Sequence, residues 1–440
     1  MSLEESTTRE STNGGSLEAP AESWGQVYVT RKCCGAANCR NFAPEIFGEV
    51  APDPSARRPG ALPVLSGSYE EGAFTGVVRQ PRNKAEYLAA RTAAAACAFG
   101  AIRIRKPSVK LPADEQGSPW RAWPHLLEDN VWVLGQPSTK NYGALAYFIE
   151  LPGGGVLVDV PKPSEDLFRW LEAHGGVRWL FLSHRDHVQH HAELAARFPG
   201  CRRVMGRADV NKRQSSFADA TDVVEVKLAD DLVPMTLEGA PIAAEALADA
   251  ELVVLPQPGH TPGSLCLSYR GKFLFTGDHL AYSKRLGHIV AHRLQCWEDW
   301  ERQTRSVRQL ESWAEAGKLR FQWLLPGHGE WRRFEDAAST HAELRRAAEW
   351  MGEQPAGNVP LVRWIPFVMS RAKPGGLFGR VVLGMGGPGR EAWLLPRTAR
   401  QYLTDYQAGH GDAAIRRLYA FAVAALAAVS LAAWLVMRAR

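Results

Sequence analysis

The first 22 residues, MSLEESTTRESTNGGSLEAPAE, have no basic start and no apolar run. That argues against a secretory signal or a transit peptide and reads as a disordered tail over residues 1–22. The folded part is therefore expected in a reducing compartment. There the seven cysteines stand for metal or cluster ligands and buried thiols more than for disulfides. A basic stripe is also missing. The net charge of +5 is scattered along the chain, which excludes a nucleic-acid footprint. No G-x-S-x-G elbow occurs, so a covalent serine route has no support. No internal repeat is present, which excludes a repeat array. What remains is a globular composition, 45% hydrophobic and 22% charged over 440 residues. That length suffices for two or three domains.

The chain divides by pattern. Residues 23–108 carry Cys33, Cys34 and Cys39 near one end and Cys97 near the other. A Pro/Gly/Ser-rich stretch and a predicted helix, NKAEYLAARTAAAACAF, lie between them, and Pro107–Pro119 reads as a linker. Over residues 109–350, short β-rich runs alternate with helical ones. VWVLGQ, LAYFIEL, GVLVDVP, VRWLFLSH, ELVVLPQ, SLCLSYR and KFLFTGD predict strands. PSEDLFRWLEAHG, HAELAARF and WEDWERQTRSVRQLESWAEAG predict helices. The alternation suggests an α/β layer domain. A basic, Gly/Pro-rich extension covers 351–415, and an apolar segment lies within 416–438. Taken whole, the chain is expected to be an α+β multidomain protein.

Chemistry concentrates where strands end. FLSHRDHVQHH holds four histidines and an aspartate after one apolar run. LVVLPQPGHT places His260 after a second, KFLFTGDH places Asp278 after a third, and FQWLLPGHG places His328 after a fourth. A strand, a Gly-containing turn and then a ligand-type residue is a repeated signal. Small residues let the backbone turn tightly and leave room for a metal and water. Imidazole suits zinc or iron, and a carboxylate can bridge two cations.

This set, Ser-His, P-G-H-T, T-G-D and P-G-H-G in order, resembles the metallo-β-lactamase-fold superfamily. The resemblance implies a four-layer α/β/β/α sandwich with one or two divalent metals, zinc or iron, at one edge of the paired sheets. It departs from the family's first motif, H-x-H-x-D-H. In register from His184 the second His is Asp186, and the final Asp-His pair falls on Val188 and Gln189. Two extra residues in the turn would put His190 and His191 where that pair belongs. Alternatively, L-x-H-x-D-H aligns His184, Asp186 and His187 and loses only a first His, at Leu182. The first register is preferred. The expected metal ligands are then His184, Asp186, His190, His191, His260, Asp278 and His328, with His187 as an alternative. Asp278 and Asp186 are the expected catalytic carboxylates. Asp159, in GVLVDVP, is a candidate to orient a ligand histidine.

Cations on such ligands lower the pKa of bound water to about 7. The resulting nucleophile attacks an ester, thioester, lactone or phosphodiester, and the metal stabilises the developing oxyanion. The expected partner is a small-molecule substrate and not a nucleic acid.

KCCGAANCRNFAPEIF followed by ACAFGAI resembles a small bacterial-type ferredoxin. The C-x-x-C-x-x-C run is Cys33, Ala36 and Cys39 here, and Ala98 follows Cys97 where that family has Pro. The resemblance implies one iron–sulfur cluster held by Cys33, Cys39 and Cys97, three-iron, or four-iron if Cys34 joins, and an electron-transfer partner. Cys201, Cys266 and Cys296 read as buried apolar residues, with Cys296 a candidate to line the pocket. The two units joined resemble a group of bacterial and plastid proteins with this architecture and no established activity.

Leu418–Met437 is 20 residues without a charge, enough to span one hydrocarbon core of about 30 Å. Arg416, Arg417, Arg438 and Arg440 flank it, and Tyr419 and Trp434 lie near its ends. A single-pass membrane protein with its folded domains in the cytoplasm is expected. Three readings follow: a membrane-tethered metal-dependent hydrolase, a diiron oxidoreductase fed by the cluster, or a non-catalytic metal or redox sensor.

Overall fold

The computed structural model describes residues 24–30, 33, 36–50, 74–105, 123–212, 219–229, 232–284 and 286–354. The expected tail, Cys34, the linker 107–119, the extension beyond 354 and the expected span Leu418–Met437 lie outside them. Among the described residues no helix is long and apolar enough to cross a membrane.

The first unit is small. Strand β1 (Val27–Val29) pairs antiparallel with β4 (Ile102–Ile104), and β2 (Phe47–Val50) pairs with β3 (Phe74–Val77). Helices α1 (Asn38–Phe42) and α2 (Lys84–Ala95) pack on them around Val27, Ile46, Phe47, Ala90 and Ile102. Asn83 caps α2 by accepting from the Glu86 N–H at 2.9 Å. The helix stops at Ala95, short of the predicted end, so Cys97 sits in the turn that follows.

The second unit has two sheets. One contains β5 (His125–Glu128), β6 (Val131–Val133), β7 (Tyr147–Ile149), β8 (Gly155–Val158), β9 (Val177–Leu182), β10 (Arg202–Gly206) and β11 (Val226–Leu228), side by side in reverse chain order. The other orders β12 (Leu252–Pro256), β13 (Leu265–Tyr269), β14 (Phe273–Gly277), β17 (Trp323–Pro326) and β18 (Arg332–Arg333). A separate hairpin joins β15 (Ala281–Ser283) to β16 (His288–Val290). Helices α3 (Glu165–Ala173) and α4 (His191–Arg197) belong to the first sheet; α5 (Trp300–Glu315) and α6 (Ser339–Glu353) belong to the second. Helix α6 carries the unit past the expected boundary at 350.

Alternation along the strands builds three apolar layers. Tyr147, Ile149, Val156, Val158, Trp179 and Phe181 face Leu265, Leu267, Phe273, Phe275 and Leu325 between the sheets. The next residue in each strand points the other way. Phe148, Leu157 and Leu180 meet Leu167 and Leu171 of α3. Cys266, Leu274 and Leu324 meet Val307, Leu310 and Leu344 of α5 and α6. Period-two strands covered on both faces thus give the expected four layers, α/β/β/α. Each fully buried large apolar side chain contributes about 1.5–3 kcal/mol.

The same topology gathers the strand ends. Strand β14 runs parallel to β17, so Asp278 and His328 follow neighbouring strand ends. Leu265 N–H donates to Ser183 O at 2.8 Å and ties the end of β9 to the turn after β12. Gly327 N–H donates to Gly277 O at 2.8 Å and ties the other two turns together.

Candidate metal centre

Two buried donor groups share Asp278. The first is His184, His260 and Asp278; the second is His187, Asp278 and His328, with the donor atoms of each within 4.8 Å of one another. In the first, His184 Nε2 and His260 Nε2 stand 3.5 and 4.0 Å from Asp278 Oδ2. Asp186 Oδ2 lies 3.8 and 4.0 Å from the same two nitrogens. In the second, His187 Nε2 is 3.4 Å from Asp278 Oδ2, and His328 Nδ1 is 3.0 Å from Asp278 Oδ1. Donors about 2.1 Å from a tetrahedral cation sit about 3.4 Å apart. At 3.4–4.0 Å from Asp278, Nε2 of His184, His187 and His260 are left without a well-formed hydrogen bond. Orphaned buried nitrogens converging on one carboxylate fit one or two divalent cations, with Asp278 between them.

Hydrogen bonds behind the rings set which nitrogen faces the centre. Asp159 is buried and accepts from Ser183 N (2.8 Å), Ser183 Oγ (2.8 Å) and His187 Nδ1 (2.9 Å). His187 Nε2 is thereby left facing Asp278. With the Ser183 hydroxyl donating to Asp159, His184 Nδ1–H donates to Ser183 Oγ at 2.9 Å and its Nε2 faces inward too. His328 Nε2–H donates to Tyr142 O at 3.2 Å, turning Nδ1 toward Asp278. Asp209 accepts from Arg185 N (3.0 Å), Thr261 Oγ1 (2.6 Å) and Gly263 N (3.0 Å), joining the His184 turn to the His260 turn.

Two glycines make the close approach feasible. A Cβ on Gly277, whose φ is +50°, would stand 2.5 Å from Ser183 Oγ; one on Gly327 would stand 2.5 Å from His187 Cε1 and 3.0 Å from Asp278 Oδ1. Electrostatics follow the geometry. Burial alone would push the His187 imidazolium down, but the Asp278 and Asp159 carboxylates outweigh it and hold it up at about 10. Burial and the neighbouring His184 charge push His260 well below its ordinary value. Asp278 is held well below the usual carboxylate range: burial opposes this, but His328 and His187 dominate.

The structure brings His184, Asp186, His260, Asp278 and His328 together, and His187 with them. It does not bring in His190 or His191. The single turn Arg185–His187 sets His187 against Gly327 and Asp278, whereas α4 begins at His191 and the rings of His190 and His191 meet other partners. His190 Nε2 lies 3.3 Å from Ser138 Oγ, and its backbone N–H donates to Asp219. His191 is buried between Ala220 O (3.0 Å) and Arg203 Nη1 (3.3 Å). The register that the structure follows is therefore L-x-H-x-D-H, and the preferred reading with two inserted residues is corrected. Cys201, Cys266 and Cys296 are buried. Cys296 Sγ donates to Gly259 O at 3.2 Å and is packed in the apolar layer with Trp300 and Leu324. Residues not anticipated include Asp209, Tyr142 and His292. Asp209 had a signal, a carboxylate in the turn after a strand. His292 is buried near enough to Asp278, His260 and His328 to feel their charges, and nothing in its spacing announced it.

Cys33, Cys39 and Cys97 of the first unit are in no disulfide among the described residues. Cys39 is pushed up to about 12, first by burial and then by the neighbouring Cys33; Cys97 adds to this, while Thr75 and Arg40 oppose it. Cys97 Sγ accepts from the Ala101 N–H at 3.2 Å. Cys33 and Cys97 thus lie close enough to Cys39 for their charges to be felt there, and the three are not among the donor groups of the described residues that could hold a metal ion. Cys34 lies outside the described residues.

No protein-family model and no curated protein matches this chain. Solved structures similar to it include the DIM-1 metallo-beta-lactamase, at 16% identity over 50% of this chain and 95% of that one, with a TM-score of 0.36. Others are a metallo-beta-lactamase from Pontibacter korlensis (17% identity, 52% and 98% covered, TM-score 0.37) and FIM-1 from Pseudomonas aeruginosa in its mono-zinc form (16% identity, 52% and 95% covered, TM-score 0.37). Likenesses at this level transfer neither ligand nor chemistry, and the functional reading below rests on the site geometry.

Proposed function

We propose that the chain is a metal-dependent hydrolase of the metallo-β-lactamase type, acting on an ester, thioester, lactone or phosphodiester. One observation carries the reading: Asp278 is shared by two buried donor groups whose ring nitrogens converge on it from three other turns. Bound zinc or iron would supply a water of lowered pKa and positive charge for the developing oxyanion. His184, Asp186, His260 and Asp278 would hold one cation, and His187, Asp278 and His328 the other. Asp159, Ser183 and the Tyr142 carbonyl fix the ring tautomers. Asp186, 29% exposed where Asp278 is 11% exposed, stands nearest solvent and is placed to take a proton from the attacking water. Zinc-loaded protein should hydrolyse at least one of the four substrate classes, and the Asp278→Ala variant should not. Inactivity against all four with both metals bound would overturn hydrolysis.

A second reading, a diiron oxidoreductase, has one supporting observation. The turn leading to Cys39 touches the loop that carries His328: the Gly329 N–H donates to Ala36 O at 3.1 Å. Iron in the large unit after anaerobic purification, with redox turnover, would favour it. The cluster on Cys33, Cys39 and Cys97 and the membrane tether at Leu418–Met437 belong to the proposal. Deleting residues from Arg416 onward should release soluble protein that keeps its metals. Full-length protein that is soluble without detergent would remove the tether from the account.

A further inference from the structure

Helix α1 carries Cys39 on one side and grips the metal centre with its neighbours. Asn38, 5% exposed, donates from Nδ2 to Gly143 O at 2.6 Å. Gly143 follows Tyr142, whose carbonyl accepts from His328 Nε2. Asn41 donates from Nδ2 to Gly329 O at 3.0 Å, and its Oδ1 accepts from Trp331 N at 3.0 Å. Between them, Ala36 O accepts from the Gly329 N–H. Phe42 stands edge-on to Trp331 at 5.0 Å, and Lys284 Nζ reaches Arg40 O at 3.5 Å. The two turns that orient His328 are thus both bonded to the segment that presents Cys39.

We propose that Asn38 and Asn41 are positioning residues that couple the cysteine site to His328, so that loading the cysteine site sets how tightly the second cation is held. This rests on the reading of two metal-type centres given above. The mechanism is geometric. Sulfur ligation at Cys39 would fix the first turn of α1, and with it the adjoining Ala36 carbonyl. That fixes the Gly329 amide on one side of His328 and the Gly143 backbone on the other. The turns of His184 and His260 are instead tied to each other through Asp209, which accepts from Arg185 N, Thr261 Oγ1 and Gly263 N. The effect should therefore fall on the second cation and spare the first. Coupling is reciprocal: filling the second position should shift the signature of the cluster.

The test uses the full chain in detergent, handled anaerobically, with zinc alone as the probe and a fluorescent chelator as competitor. The second zinc equivalent is identified by its loss in His328→Ala. Wild type carrying its cluster is compared with cluster-free Cys39→Ser. The second equivalent should weaken at least about fivefold on cluster loss, within the 5- to 150-fold range of such couplings. The first should stay within about twofold. In Asn41→Ala and Asn38→Ser the cluster absorbance should persist, while zinc no longer shifts its electron paramagnetic resonance signal. Using two variants guards against one that fails to fold. Equal second-zinc affinity with and without the cluster would overturn the coupling and leave both sites standing. A chain that forms no cluster, or binds no second zinc, would overturn it together with the reading beneath it.

Discussion

Replacing Asp159 by Asn perturbs the centre without touching a proposed ligand. Asp159 has φ +57°, a left-handed conformation that Asn accepts as readily as Asp. The backbone cost is therefore small and the shape is kept. What changes is polarity. The carboxylate accepts three hydrogen bonds, from Ser183 N, Ser183 Oγ and His187 Nδ1. A carboxamide has one oxygen, and its NH₂ must face at least one of those donors. If it faces His187 Nδ1, the imidazole flips its proton to Nε2, the atom that points at Asp278. Loss of such an outer partner costs about 10- to 100-fold in metal affinity, or about 1.4–2.7 kcal/mol. A buried donor left unmet costs the fold about 1–3 kcal/mol. Competition titration of zinc against a chelator should show the His187–His328 position weakened by that factor. The His184–His260 position should weaken less, because His184 feels the change only through Ser183. Unchanged affinity at both positions, in a variant that remains folded, would refute the assignment of Asp159 as the group that orients His187.

Three further outcomes follow from the same geometry. Gly327→Ala places a methyl 2.5 Å from His187 Cε1, an overpacking worth about 1–3 kcal/mol, and should remove one cation while keeping the other; elemental analysis decides, and full metal content would contradict the packing. His190→Ala should leave metal content intact, because its ring meets Ser138 and not Asp278; loss of a cation would restore the register with two inserted residues. In metal-free protein the His187 imidazolium is raised from its ordinary 6.5 to about 10. Its contribution to stability is then complete below the lower value and lost as pH rises through the higher one. Chemical denaturation of metal-free protein should show stability falling across that window, and second-cation affinity should rise there as the proton leaves; flat profiles would contradict both.

The layers and the four ligand-bearing turns were legible in the sequence for physical reasons. Strands such as Val177–Leu182 and Phe273–Gly277 are covered on both faces, so they read as short apolar runs, and each ends in a turn that a small or polar residue marks. The choice among His187, His190 and His191 was not legible. It depends on a single tight turn, Arg185–His187, and on where α4 begins, a matter of one or two residues that no periodicity fixes. Asp159 was readable as a strand-end carboxylate. Its partner His187 emerged only when β8 and β9 lay side by side. The grip of Asn38 and Asn41 on the His328 turns joins residues 105 and about 290 positions apart in the chain. Such a contact leaves no trace in local pattern.

The central claim is that Asp278 would serve two cation positions, each completed by histidines from other turns. Metal analysis of anaerobically purified wild type beside Asp278→Ala tests it most directly. The account predicts about two cations per chain in the large unit of the wild type. It predicts that both are lost or greatly weakened in the variant, while the absorbance of the cysteine site persists. Metal content that is the same in the two proteins would contradict it.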